Sequence, residues 1–229
     1  MGPLHFYFDF ISPFGYFASL RIEDIVRHHG RTVDWHAMLL GVSVMKVMGL
    51  KPLLDTPLKG DYIRRDARRY MRRHGLNIAR DLDAPMMDPR AAARAFYYVK
   101  QHQPALAALL AHAIYDAYWA QGLDLSTAQA VAAIRLPDGI DAPWLQAGIA
   151  TDEAGTLLRG AVDASLKAGI FGSPTVGLGF RISTEAARMN MGLVWSAIVV
   201  AAVTGSVAYA LLVQLERRVA FWHPSVRSR

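Results

Sequence analysis

Within "DFISPFGYFASLR", Ser12 stands where an aromatic-rich run gives way to a helical pattern. A serine at that handover directs its hydroxyl, and the unpaired N–H groups of the first helical turn, at one spot, which then favours an anion. The plainer reading, that Ser12 only caps the helix, uses the same hydroxyl, and the spacing alone leaves both open. A second serine precedes a proline in "AGIFGSPT", at Ser173 and Pro174. The chain has no cysteine, so disulfide exchange, thiolate catalysis and sulfur-ligated metals are excluded, and any thiol chemistry has to use a ligand's sulfur. The histidines at 5, 28, 29, 36, 74, 102, 112 and 223 show no HxH or HExxH spacing and no adjoining acidic cluster, so no metal site is expected.

The elements that must position these serines follow from the pattern. Leu4 to Phe10, "LHFYFDF", reads as a buried strand. Ser12 as N-cap, Pro13 at the first helical position and Gly30 near the end bracket a helix, and Thr32 to Leu39 reads as a second strand. The middle is helical. "GDYIRRDARRYMRRHG" has Ile63, Ala67, Tyr70 and Met71 as its inner face and six arginines elsewhere, a solvated face rather than a nucleic-acid contact. "DPRAAARAFYYVKQH", "PALAALLAHAIYDAYWAQG", "STAQAVAAI" and "TDEAGTLLRGAVDASLKAG" continue as Ala-rich helices. The aromatics Phe96, Tyr97, Tyr98, Tyr115, Tyr118 and Trp119 on them read as core. The fold class is therefore α/β, a β-α-β opening with an all-helical insertion over about residues 45–160.

Four stretches in this order, "FYFDFISPFGYFASLR", "LKGDYIRRDARRYMRRHGL", "AIYDAYWAQGLDLS" and "AGIFGSPT", resemble the 2-hydroxychromene-2-carboxylate isomerase family, of the kappa-class glutathione transferase and DsbA-like group. The resemblance runs from about Leu4 to Val176 and implies a thioredoxin-like fold. Redox members of the group carry Cys-Pro-x-Cys where this chain has Ser12-Pro13-Phe14-Gly15. It implies that Ser12 donates to the sulfur of bound glutathione and lowers its pKa, that the Ser173-Pro174 bond is cis with Ser173 and Pro174 presenting main chain to glutathione, and that Lys59 holds a carboxylate. The implied partners are glutathione and a small aromatic carboxylate, with a homodimer also admitted. Leu50 stands near the place of a family asparagine, and no "GxDR" segment follows Val176. A transferase-like enzyme and a non-catalytic membrane-anchored fusion are the rival readings.

The final quarter differs in kind. Residues 191–215, "MGLVWSAIVVAAVTGSVAYALLVQL", carry no charge, and as a helix would be roughly 37 Å long, enough to cross a bilayer. This segment and the basic tail 216–229 resemble the last transmembrane helix and tail of an ABC transporter permease. The expectation is a thioredoxin-like domain over 1–176 with an incomplete sheet, a junction over 177–190 and one membrane helix over 191–215. The start, "MGPLHFYFDF", lacks a basic n-region and a long apolar h-region, so no secretory signal is expected and the domain is placed on the cytoplasmic side. A formal charge of +6 favours anionic partners.

Overall fold

The computed structural model describes residues 2–176. Strand β1 (Leu4–Phe8) and strand β2 (Val33–Ala37) pair in parallel, with Phe6 opposite Trp35 and Tyr7 opposite His36. Helix α1 (Pro13–His28) makes the crossover between them. Alternation along β1 puts Phe6 and Phe8 into the core, both fully buried, and His5 and Tyr7 on the opposite face.

The other edge of β1 is also paired. Tyr7 and Thr175 form an antiparallel bridge, the Tyr7 N–H donating to the Thr175 carbonyl at 3.1 Å and the Thr175 N–H to the Tyr7 carbonyl at 3.0 Å. Among the described residues the sheet has two strands, β1 and β2, and Thr175 adds this one isolated bridge at the other edge of β1. The junction over 177–190, the span over 191–215 and the tail over 216–229 lie outside the described residues. Among the described residues no helix is long and apolar enough to cross a membrane.

Between β2 and Thr175 the chain is helical, as the pattern requires. Helix α2 (Lys59–His74) ends at Gly75, whose φ of 63° is the left-handed cap that glycine takes most cheaply. Its predicted inner face holds: Ala67 is buried, while Ile63, Tyr70 and Met71 are half-buried and Tyr70 stacks on Phe17 of α1. Helices α3 (Arg90–His102), α4 (Ala107–Tyr115, continuing as a wider turn through Ala120), α5 (Ala128–Ala132) and α7 (Asp152–Lys167) fall where expected.

Helix α6 (Ala142–Ala150) forms where the sequence pattern predicts no helix. Its signals are an N-cap, Asp141, whose carboxylate accepts from the Trp144 N–H at 2.9 Å, and Pro143 inside the first turn. They are overshadowed by the turn-like "PDGIDAP" before it. α6 crosses α3 so closely that a β-carbon on Gly148 would lie 2.0 Å from the Tyr98 ring. Only glycine permits that approach.

Candidate functional site

The site grows from the end of β1. Asp9 follows the last strand residue, and its backbone and side chain tie together four separate segments. Its N–H donates to the Ser173 hydroxyl at 2.8 Å, and its carbonyl accepts from the Ser12 N–H and from the Tyr115 hydroxyl, each at 3.0 Å. Its carboxyl accepts from the Leu40 N–H at 2.6 Å and the Ile11 N–H at 3.2 Å. The side chain is fully buried, and burial raises its pKa to about 7 although those N–H groups favour the charged form.

Ser12 caps α1 as its residue type predicts. Its Oγ accepts from the Gly15 N–H at 3.1 Å, and its backbone is extended, as an N-cap requires. The same hydroxyl donates to the Ser173 carbonyl at 3.0 Å, so capping and reaching toward the proline loop are both realised by one group. The Ser173-Pro174 bond is cis. Ser12 is therefore brought together with Ser173 and Pro174 across more than one hundred and fifty residues of sequence, as the resemblance implied.

Behind this turn lies a wall of aromatic rings. Tyr115 is fully buried among Phe8, Phe10 and Tyr16, with centroid separations of 5.1–5.8 Å. Burial pushes the Tyr115 phenol well above its usual range, and the neighbouring Asp9 adds to it, so the hydroxyl is a fixed hydrogen-bond donor. Trp119 donates from Nε1 to the Phe10 carbonyl at 2.9 Å. Both were assigned to the core by sequence and are; what sequence missed is that their polar atoms hold the carbonyls of the β1–α1 turn. Gly15 completes the fit. A β-carbon there would lie 2.6 Å from the Tyr115 hydroxyl and 3.1 Å from Ser173 Oγ.

Lys59 is not part of this cluster. It lies exposed at the first residue of α2, and among the described residues its ammonium makes no hydrogen bond or ion pair with Ser12 or Ser173. The residue before it, Leu58, has φ of 66° and is exposed, the centre of a tight turn closed by the Lys59 N–H on the Pro57 carbonyl at 2.8 Å. Leu50, near the place of the family's asparagine, is exposed as well.

A parallel strand pair crossed over by a helix, with a hydroxyl at the helix start facing a cis-proline loop, is the working end of a thioredoxin-like domain. The chain belongs to the DSBA-like thioredoxin domain family, whose model matches residues 3–193. Among curated proteins it is similar to 2-hydroxychromene-2-carboxylate isomerase of Pseudomonas putida, 27% identical over 177 residues that cover 76% of this chain and 84% of the relative. A solved 2-hydroxychromene-2-carboxylate isomerase superposes with a TM-score of 0.63 at 24% identity, over 86% of this chain and 98% of that one. The cytosolic disulfide reductase DsbM from Pseudomonas aeruginosa, solved with GSH, superposes with a TM-score of 0.53 at 16% identity, over 83% of this chain and 98% of that one. These two likenesses show the shared fold. The matches support the isomerase-like reading of the chain and lend nothing to the permease resemblance.

Proposed function

We propose that this chain is a glutathione-dependent isomerase acting on a small conjugated aromatic carboxylate. The observation that carries the reading is the Ser12 hydroxyl, seated at the N-terminus of α1 and aimed at the carbonyl of Ser173 beside Pro174. The donor set suits a sulfur anion. The turn offers a neutral hydroxyl and a helix N-terminus, while the carboxyl of Asp9 is turned to the Leu40 and Ile11 N–H groups and is pushed by burial toward its neutral form.

When bound, glutathione supplies a sulfur nucleophile that adds to the conjugated substrate and leaves again, so the substrate changes geometry with no net oxidation. The protein's part is to bind, orient and hold one proton. Ser12 has a single hydroxyl hydrogen, which rests on the Ser173 carbonyl. Turning it to a sulfur anion exchanges a neutral hydrogen bond for a charge-assisted one, which is roughly twice as strong. With no cysteine in the chain, nothing competes to form a disulfide with the ligand. Ser173 and Pro174 offer main chain for the peptide part of the ligand. Lys59, exposed at the head of α2, is proposed to hold a carboxylate, and Lys59→Ala should then raise KM with little change in kcat.

The test is isomerisation of 2-hydroxychromene-2-carboxylate by the full chain with and without glutathione. Turnover that requires glutathione and yields a glutathione-free product is expected. A product that retains glutathione would make the enzyme a transferase, and absence of glutathione affinity would overturn the reading.

A further inference from the structure

The end of β1 far from Ser12 carries a second cluster of a different chemistry. In the parallel register His5 lies opposite Asp34 and Tyr7 opposite His36, and since side chains two apart on a strand share a face, His5, Asp34 and His36 all project from one side of the sheet. Three donor atoms converge there. His5 Nδ1 and His36 Nε2 are 3.0 Å apart, His36 Nε2 is 2.9 Å from Asp34 Oδ2, and His5 Nδ1 is 3.4 Å from the same oxygen.

That triangle has the size a metal ion imposes. Ligands at about 2.1 Å from a first-row divalent ion lie about 3.0 Å apart at octahedral angles and about 3.4 Å apart at tetrahedral ones. The observed edges span that interval. Two imidazoles and one carboxylate on one side of an ion also form the ligand set that Zn²⁺ and its neighbours accept, leaving positions for water.

The surroundings fit the same reading. Lys100 of α3 donates to the other oxygen of Asp34, Oδ1, at 2.7 Å and to the Trp35 carbonyl at 2.6 Å. The carboxylate is thereby fixed in orientation while Oδ2 stays turned to the two imidazoles, the usual task of a group bound to a ligand rather than to the metal. The side chains of His5, Asp34 and His36 are 44%, 33% and 24% exposed, so an ion can enter from solvent.

We propose that His5, Asp34 and His36 bind one divalent transition-metal ion, with Zn²⁺ as the expected occupant, and that the ion clamps β1 to β2 at the end of the sheet opposite Ser12. The sequence conceals this site because His5 and His36 are separated by a helix, and only Asp34 and His36 are near neighbours. The site is independent of the glutathione reading.

The experiment titrates Zn²⁺ into the untagged full chain by calorimetry, and Co²⁺ by its visible absorption. One equivalent of each should bind, and Zn²⁺ should raise the thermal midpoint. His36→Ala and Asp34→Asn should each weaken Zn²⁺ at least tenfold and remove the rise, while a His28→Ala/His29→Ala chain, altered on the exposed end of α1, keeps both. Circular dichroism confirms that each variant is folded, and a smaller change, His36→Gln, replaces any that is not. Overturning results are no stoichiometric binding by the intact chain, or binding that His36→Ala, His36→Gln and Asp34→Asn leave unchanged.

Discussion

The two ends of β1 are built on opposite principles. At the C-terminal end, Asp9, Ser12, Ser173 and Tyr115 are joined by neutral hydrogen bonds, most of them to backbone, around a carboxyl that burial drives toward its uncharged form. At the N-terminal end, His5, Asp34, His36 and Lys100 are partly exposed and joined by charge. There, burial alone would raise the Asp34 carboxyl, but the hydrogen bond from Lys100, together with the charges of His36, Lys100 and His5, brings its pKa below the usual value. A carboxyl that is costly to ionise thus follows the C-terminal end of β1, and one that is held ionised lies across the ladder from His5 near its N-terminal end. A neutral, buried end suits a site that must strengthen one hydrogen bond to an incoming anion; a charged, accessible end suits a cation.

Phe8 lies between the two ends, fully buried against Trp35, Phe96 and Tyr115, and its removal should blur the difference most. Phe8→Ala should cost about 3–5 kcal/mol in urea unfolding. A loss below about 1 kcal/mol would mean that the two ends are not braced through this ring.

Asp9 tests the neutral end through pH. Its carboxyl is protonated more readily in the folded chain, at about 7, than in the unfolded chain, at 3.8. The stabilisation it contributes is therefore complete below pH 4 and is lost as the pH rises to about 7, on the order of 4 kcal/mol in all. Asp9→Asn should remove that decline, so the difference in unfolding free energy between variant and parent should change steadily from pH 4 to 7 and level off above. A constant difference over that window would show that Asp9 is not the titrating group.

Packing at the same end gives a smaller, paired effect. Gly15→Ala places a methyl against the Tyr115 hydroxyl and should cost about 1–3 kcal/mol. In a Tyr115→Phe background the offending oxygen is gone, so the added cost of Gly15→Ala should drop, a coupling of about 1 kcal/mol. Strictly additive losses would place the strain elsewhere, at Ser173 or the Asp9 carbonyl.

The charged end should matter least to stability. Asp34→Asn breaks a pair whose side chains are about one-third exposed, and without metal it should cost less than about 1 kcal/mol in chemical denaturation. A larger loss would make the N-terminal cluster a structural ion pair rather than a site.

How much of this could be read beforehand depended on sequence distance. The β1–α1–β2 opening was legible because Ser12, Pro13 and Gly30 are local signals, and the strands differ from expectation only at their ends, with Phe10 and Leu39 falling beyond them. The pairing of Ser12 with the Ser173-Pro174 loop came from the resemblance, since no local rule connects residues so far apart. Asp9 was passed over because its role lies in its burial and in contacts with Leu40, Ser173 and Tyr115, none of them a sequence neighbour. Lys59 was assigned by motif, and the structure sets it at the head of α2 with no bond to Ser12. The His5, Asp34 and His36 cluster escaped for a simple reason: metal motifs are searched along the chain, and this one runs across a strand pair.

The central claim is that Ser12 lowers the pKa of a bound glutathione thiol. It is tested most directly by titrating the ultraviolet absorption of the thiolate on the glutathione-saturated chain, in the parent and in Ser12→Ala. The account predicts a midpoint well below the value of about 8.5 for a free thiol in the parent and a return toward that value in the variant. The same midpoint in both proteins, with glutathione bound in each, would contradict it.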